Sequence, residues 1–421
     1  MNNLRQVLIF IFICLVPFQD TALQSTLLLG LGVSFAIIPL LILAAVDLCL
    51  LPFNACKKIN INHIYAILYI LAVNCFGIAY FGLHAGSANT ALEGIKLSVD
   101  TLLALYVIFG IDYSNQRNIG LAIHCAFFIT LAGIAINDLN LLGLKPVLDN
   151  GVFHYTANTD LRWRGTTRES FWLGTLLVSL GLLSAHYSKS KLSKSFFWAL
   201  TVLLTVLGAS KGGFLCIFIV LFVILTVKRG GYLRLLLLIA TIAPVFYVGI
   251  TLFMSQISPR LLLVTESIPT RVTMAFWSII VFIHFPFGVG FTGFLPAMEK
   301  YLPAAKDASI RLFGTPNANF SEINLTIDDV NGASTKSMLA TFTAFYGFPF
   351  LAFIAIACSR IIKFLFRYKE ISLLAAVLFV ILSLSTYDDV IFAYQTFIVL
   401  GVAAHEYITW NERKIHVHHG I

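Results

Sequence analysis

Residues 272–285 read VTMAFWSIIVFIHF, an uncharged run inside an otherwise mixed-polarity stretch from Met254 to Lys336. Whether this run crosses a membrane decides the architecture of the whole chain. A hydrocarbon layer of about 30 Å asks for roughly 20 apolar residues in a helix, and 272–285 falls short of that. If it crossed, the later connector holding Arg360, Lys363, Arg367 and Lys369 would move to the outer side and break the positive-inside rule. A helix lying along the membrane surface, or dipping in and out of it, fits better. Residues 254–336 are therefore read as one large outer loop.

Outward from that loop the chain is apolar. Hydrophobic residues make up 59% of 421 positions and charged residues 11%, with 37 Phe, a composition that excludes an ordinary soluble domain. Spans are expected at 7–18, 26–51, 63–83, 97–111, 119–136, 170–186, 196–209, 213–227, 235–253, 337–357, 371–386 and 391–405. They must be helical, because backbone groups in lipid have no water to bond. The expected fold class is an all-α integral membrane protein of about twelve transmembrane helices, one polytopic domain over 1–421, with the large loop before the tenth span.

Charge placement sets the orientation. With the N-terminus inside, Arg5, Lys57, Lys58, Arg117, Lys189, Lys191, Lys194, Lys228, Arg229, Arg234, Arg360, Lys363, Arg367, Lys369, Arg413 and Lys414 all fall inside, and the short outer connectors keep only Lys96 and Lys211. The net charge of +8 thus reports topology and not a nucleic-acid surface. The first run has the basic start of a signal peptide but no small-x-small cleavage site after it, and is read as a span. The seven cysteines sit in or beside apolar runs with no CxxC and no metal-ligand spacing, as small hydrophobes. No metal or cofactor is expected.

The remaining cations lie in two outer segments, 137–169 and 254–336, and these form the candidate working surface. Arg162-Trp163-Arg164-Gly165-Thr166-Thr167-Arg168 places three guanidiniums just before a span. They can fork onto phosphate oxygens, or anchor to anionic headgroups with Trp163 in the interfacial belt. Arg271 to Trp277 and Phe285-Pro286-Phe287-Gly288-Val289-Gly290 offer glycines for close backbone approach to a ligand, or for a turn. Ser210-Lys211-Gly212 puts one cation at a two-helix corner, able to reach a lipid phosphate or simply to snorkel. Glu322, Asp328, Asp329, Asp388 and Asp389 are the acids near these cations. Closely placed carboxylates can furnish a general base, and the same residues can equally form turns and helix caps.

In their order along the chain these pieces resemble the O-antigen polymerase and O-antigen ligase family of bacterial inner-membrane glycosyltransferases. The resemblance rests on Arg162-x-x-Gly165, Ser210-Lys211-Gly212, Arg271 with Trp277, Pro286, Gly288 and Gly290, and the Leu339–Gly347 stretch. It covers about 160–360 by motif and the whole chain by topology. It implies a glycosyltransferase C-like fold, both termini in the cytoplasm, a periplasmic site, and inverting, metal-independent transfer from a glycan on undecaprenyl diphosphate. Arg162 and Arg271 would bind the diphosphate, with Arg164, Arg168, Arg260, Lys211 and Lys336 as further cations. Asp329, Asp328 and Glu322 would be tested as the base. Lys211 departs from the usual Ser-Arg-Gly, which keeps the charge and loses the fork. Thr335-Lys336-Ser337 stands where ligases carry His-Asn, which favours the polymerase. Expected partners are a lipid-linked donor and acceptor, membrane lipids and a chain-length regulator. The alternatives are the ligase and, from another class, a lipid-linked oligosaccharide flippase, which would need ionisable residues along a mid-membrane path.

Overall fold

A computed structural model describes residues 2–19, 21, 34–50, 61–86, 88–141, 143, 163–167, 170–208, 211–227, 267–313, 318–330, 335–386 and 393–419. Helices follow one another along them: α1 (Asn2–Leu15), α2 (Ile37–Leu50), α3 (Ile61–Phe81), α4 (Thr90–Phe109), α5 (Gln116–Gly133), α6 (Ser170–Tyr187), α7 (Lys191–Leu207) and α8 (Lys211–Val227). After a gap come α9 (Ser267–His284), α10 (Phe294–Phe313), α11 (Ser321–Asp328), α12 (Met338–Arg367), α13 (Ile371–Thr386) and α14 (Tyr394–His419). A short antiparallel hairpin, β1 (His84–Ala85) and β2 (Ala88–Asn89), joins α3 to α4. The expected run at 235–253 lies outside the described residues.

Burial separates core helices from peripheral ones. From Leu173 to Ala185 every residue of α6 is buried, so this helix is apolar all round and forms the axis of the bundle. Helices α5, α7, α8, α13 and α14 pack around it. Peripheral helices instead turn large apolar side chains outward: Ile38, Leu41 and Ile42 on α2, Leu68 and Leu71 on α3, Phe353 and Ile356 on α12. Apolar exteriors on this scale mark a surface covered by something other than water. Among the described residues, Gln116–Asp138 and Met338–Arg367 are long and apolar enough to cross a membrane, and seven further helices are apolar over shorter lengths.

The two ends of the bundle differ in chemistry. At one end Arg5 pairs with Asp47 at 2.8 Å, Gln116 meets Glu406, His186 lies 3.4 Å from Glu370, and Trp198 donates to Ser372. Lys189 and Lys369 lie in the connectors gathered there, with Lys191 and Lys194 in the first turn of α7 and Arg367 closing α12. At the opposite end the 163–167 turn, the start of α8, the start of α9 and the end of α13 come together through contacts described below.

Three details depart from expectation. The predicted span 337–357 begins a helix that is broken at Gly347 (φ 59, ψ −146), so α12 has two arms, 338–346 and 348–367. The second arm is about 30 Å long, and it carries Arg360, Lys363 and Arg367 inside its last turns instead of in a connector. Asp100, near the start of the predicted span 97–111, sits midway along α4 and is buried, because α4 starts at Thr90, ahead of the polar Glu93 and Lys96. The last helix, α14, runs past the predicted span 391–405 to His419.

Candidate functional site

Arg164 and Gly165 are held by an acid that composition alone did not single out. Helix α5 ends in a π turn, Ile134–Asp138, which changes the direction of its last side chains. The Asp138 carboxylate accepts the Arg164 N–H at 3.0 Å and the Gly165 N–H at 2.8 Å. Asn137 donates to the Gly165 carbonyl, and Thr167 Oγ1 donates to the Arg164 carbonyl at 2.8 Å. Gly165 takes φ 57, a left-handed conformation that glycine adopts without strain. The sequence signal for this clamp was the Asn137-Asp138 pair closing an apolar run. Arg162 and Arg168 flank the turn and lie outside the described residues.

The turn packs on the end of α7. Trp163 Cε3 would lie 3.7 Å from a Cβ placed on Gly208, so the indole lies against the end of α7, and Lys211 is the first residue of α8. One and a half turns further along α8, Cys216 Sγ lies 3.7 Å from Thr386 Oγ1 at the end of α13. The Thr386 carbonyl accepts Arg271 Nη1 at 2.8 Å, and the same nitrogen donates to the Lys336 carbonyl at 3.1 Å. A cation at exposed C-terminal carbonyls is favoured by their partial negative charge. Ser337 caps α12 and also donates to the Leu384 and Ser385 carbonyls at 3.2 and 3.1 Å. Arg271, Lys336 and the end of α13 thus form one knot.

Of the three candidate bases, Glu322 is the one that the described contacts bring to this knot. Its Oε1 lies 2.8 Å from Lys336 Nζ, in a pair about one-third exposed on each side. Asp328 and Asp329 stand at the other end of α11, roughly 9 Å along the helix, and line a separate cleft with Gly86 and Glu299. Lys336 itself has φ 59, a left-handed residue among the predicted ligands. Arg260, Asp388 and Asp389 lie outside the described residues.

The glycines of the 285–290 stretch serve backbone packing. The Val289 N–H donates to the Ala344 carbonyl and the Gly290 N–H to the Phe345 carbonyl, both at 2.9 Å, while the Phe348 N–H returns to the Pro286 carbonyl at 2.7 Å. Gly288 and Gly347 meet backbone at these places so closely that neither has room for a Cβ. The break in α12 is therefore locked by residues 286–290. Trp277 is fully buried, donates to the Ala297 carbonyl at 3.1 Å, and joins α9 to α10. Residues 272–284 prove to be the body of a longer helix, α9, with Met274, Trp277 and Val281 buried and Ile279 and Ile283 outward.

No family model matches the chain. Over 382 residues, 90% of this chain and 87% of the relative, it is 24% identical to an uncharacterized 49.5 kDa protein in the cps region of Klebsiella pneumoniae. The match thus spans both cationic segments as well as most of the helices.

Proposed function

We propose that this protein is a repeat-unit polymerase of a bacterial surface polysaccharide, in the O-antigen polymerase manner. It transfers a growing glycan from undecaprenyl diphosphate to a lipid-linked repeat unit at the periplasmic face of the inner membrane. The observation that carries the reading is the knot of Arg271, Lys336 and Glu322 at the bundle end opposite the basic connectors. A relative in a cps region, the region of capsule polysaccharide genes, supports polysaccharide chemistry as the setting.

The proposed step balances without a cofactor. A sugar hydroxyl of the acceptor attacks the anomeric carbon of the donor, a new C–O bond forms, and the bond to the diphosphate oxygen breaks. The hydroxyl proton passes to a carboxylate, for which Glu322 is placed nearest the cations, ahead of Asp328 and Asp329. The diphosphate leaves with its electron pair. Arg271 and Lys336, with Arg164 and Lys211 and the flanking Arg162, Arg168 and Arg260, oppose the charge that builds on it, and fixed cations in a partly desolvated site are most effective there. Twelve crossings with both termini in the cytoplasm go with this reading.

The test is the polysaccharide banding pattern of a deletion strain complemented with wild type or Arg271→Ala. Core bearing a single repeat in the deletion is expected. Core with no repeat would favour the ligase or flippase and overturn the polymerase. Full-length chains from well-expressed Arg271→Ala would remove Arg271 from the diphosphate site.

A further inference from the structure

A cleft of about 330 Å³ lies between α3 and the end of α9, walled by Val73, Phe76, His284, Phe285 and Phe287. It begins halfway along α3 and rises toward the end of that helix, with Phe287 66% exposed at its mouth. The aromatic wall continues upward: Phe76 stacks on Tyr80 at 5.7 Å, Tyr80 meets Phe285 edge-on at 5.2 Å, and His284 lies 4.9 Å from Tyr301. Above it stands Lys300, exposed, its Nζ 5.5 Å from the Tyr80 ring centre and 5.3 Å from that of Tyr301. Among the described residues Lys300 makes no ion pair with a carboxylate. The next residue back, Glu299, opens the second cleft, about 340 Å³, with Asp328 and Asp329.

Three chemistries thus follow one another up the same side of the molecule: an apolar trough, a cation on aromatic rings, and a group of carboxylates. An amphiphile complementary to that order has a hydrocarbon chain, then an anion, then hydroxyl groups. A phospholipid with a small headgroup would use only the first two. His284 lies about 20 Å along α9 from Arg271, so this trough is separate from the cationic knot.

We infer that the trough seats the isoprenoid chain of the second lipid-diphosphate substrate, the acceptor. Its diphosphate sits at Lys300 and its first sugars hydrogen-bond to Glu299, Asp328 and Asp329. The inference rests on the polymerase reading, which requires two such substrates at once. It gives Asp328 and Asp329 a binding role in place of the catalytic one.

The test is native mass spectrometry of the full chain titrated with undecaprenyl diphosphate, with phosphatidic acid, whose headgroup has no hydroxyl groups beyond the phosphate, as competitor. Two equivalents are expected on wild type. Lys300→Glu should weaken one of them by roughly tenfold or more, Phe287→Ala should weaken the same one several-fold, and Arg271→Ala should weaken the other. Undiminished binding by both Lys300→Glu and Phe287→Ala would overturn the inference, as would displacement by phosphatidic acid at equal concentration. Binding is read without turnover, so the two readings fail separately. Unchanged polysaccharide in the deletion strain would sink the polymerase and leave a Lys300-dependent lipid-diphosphate site standing. Loss of polymer with unchanged binding in the Lys300 and Phe287 variants would sink only the second site.

Discussion

Glu322 and Arg271 each have a structural partner and a proposed chemical task, and substitutions can separate the two. Glu322→Gln keeps the shape and a hydrogen bond to Lys336 while removing the basic oxygen. Polymer formation in cells should fall about 10²- to 10⁴-fold, the range that general-base removal gives, whereas Asp328→Asn and Asp329→Asn should keep most of the rate at saturating acceptor. A Glu322→Gln protein with wild-type chain production would return the base to the aspartates. Arg271→Ala leaves the Lys336 and Thr386 carbonyls without this donor, at about 1–3 kcal/mol, so its activity is best compared with that of Arg271→Lys at matched thermal stability. These residues were legible in the sequence as types. Their pairing was not, because Glu322 and Lys336 meet only when α11 folds back toward the start of α12.

Among elements, the break in α12 is the most demanding. Gly347 combines positive φ with a backbone contact to Pro286 that leaves no space for a methyl group. Gly347→Ala should therefore cost about 3 kcal/mol or more, read as a lower melting temperature in detergent, while Gly82→Ala at an open position with φ 90 should cost less. The apolar run 337–357 was plain in the sequence. The break was not, since a glycine two residues before Pro349 is also what an ordinary kinked helix would show. The His186–Glu370 pair clamps α6 to the α12–α13 connector. The His186 ring, its Nδ1 3.4 Å from a carboxylate oxygen, and then Lys194 hold the Glu370 carboxyl below its usual range. A carboxylate depressed on folding stabilises the fold above its unfolded titration and loses that stabilisation as pH falls through the folded value. Glu370→Gln should consequently lower the melting temperature near pH 6 and have no effect once pH is below the carboxylate range. The group is half exposed, so the difference should stay within about 1 kcal/mol. An unchanged gap across that titration would remove the pair from the stability of this end.

At the scale of the whole molecule, the two bundle ends allow orientation to be tested directly. Cysteine introduced at Asp328, in a background with the native cysteines replaced, should react with a membrane-impermeant maleimide added to intact spheroplasts, and cysteine at Lys191 should react only after lysis. The reverse pattern would overturn the periplasmic site. The sequence by itself determined the helical class, the apolar lengths and the segregation of charge, because each follows from local composition and from the cost of an unbonded backbone in hydrocarbon. It also located both cationic segments. Only the tertiary structure decided that Asp138 clamps the Arg164 turn, that Arg271 knots α9 to α13 and Lys336, that the Gly288 and Gly347 glycines serve packing, and that Glu322 parts from Asp328 and Asp329. Those outcomes depend on which residues far apart in the chain come within hydrogen-bond reach, and short-range pattern carries no record of that.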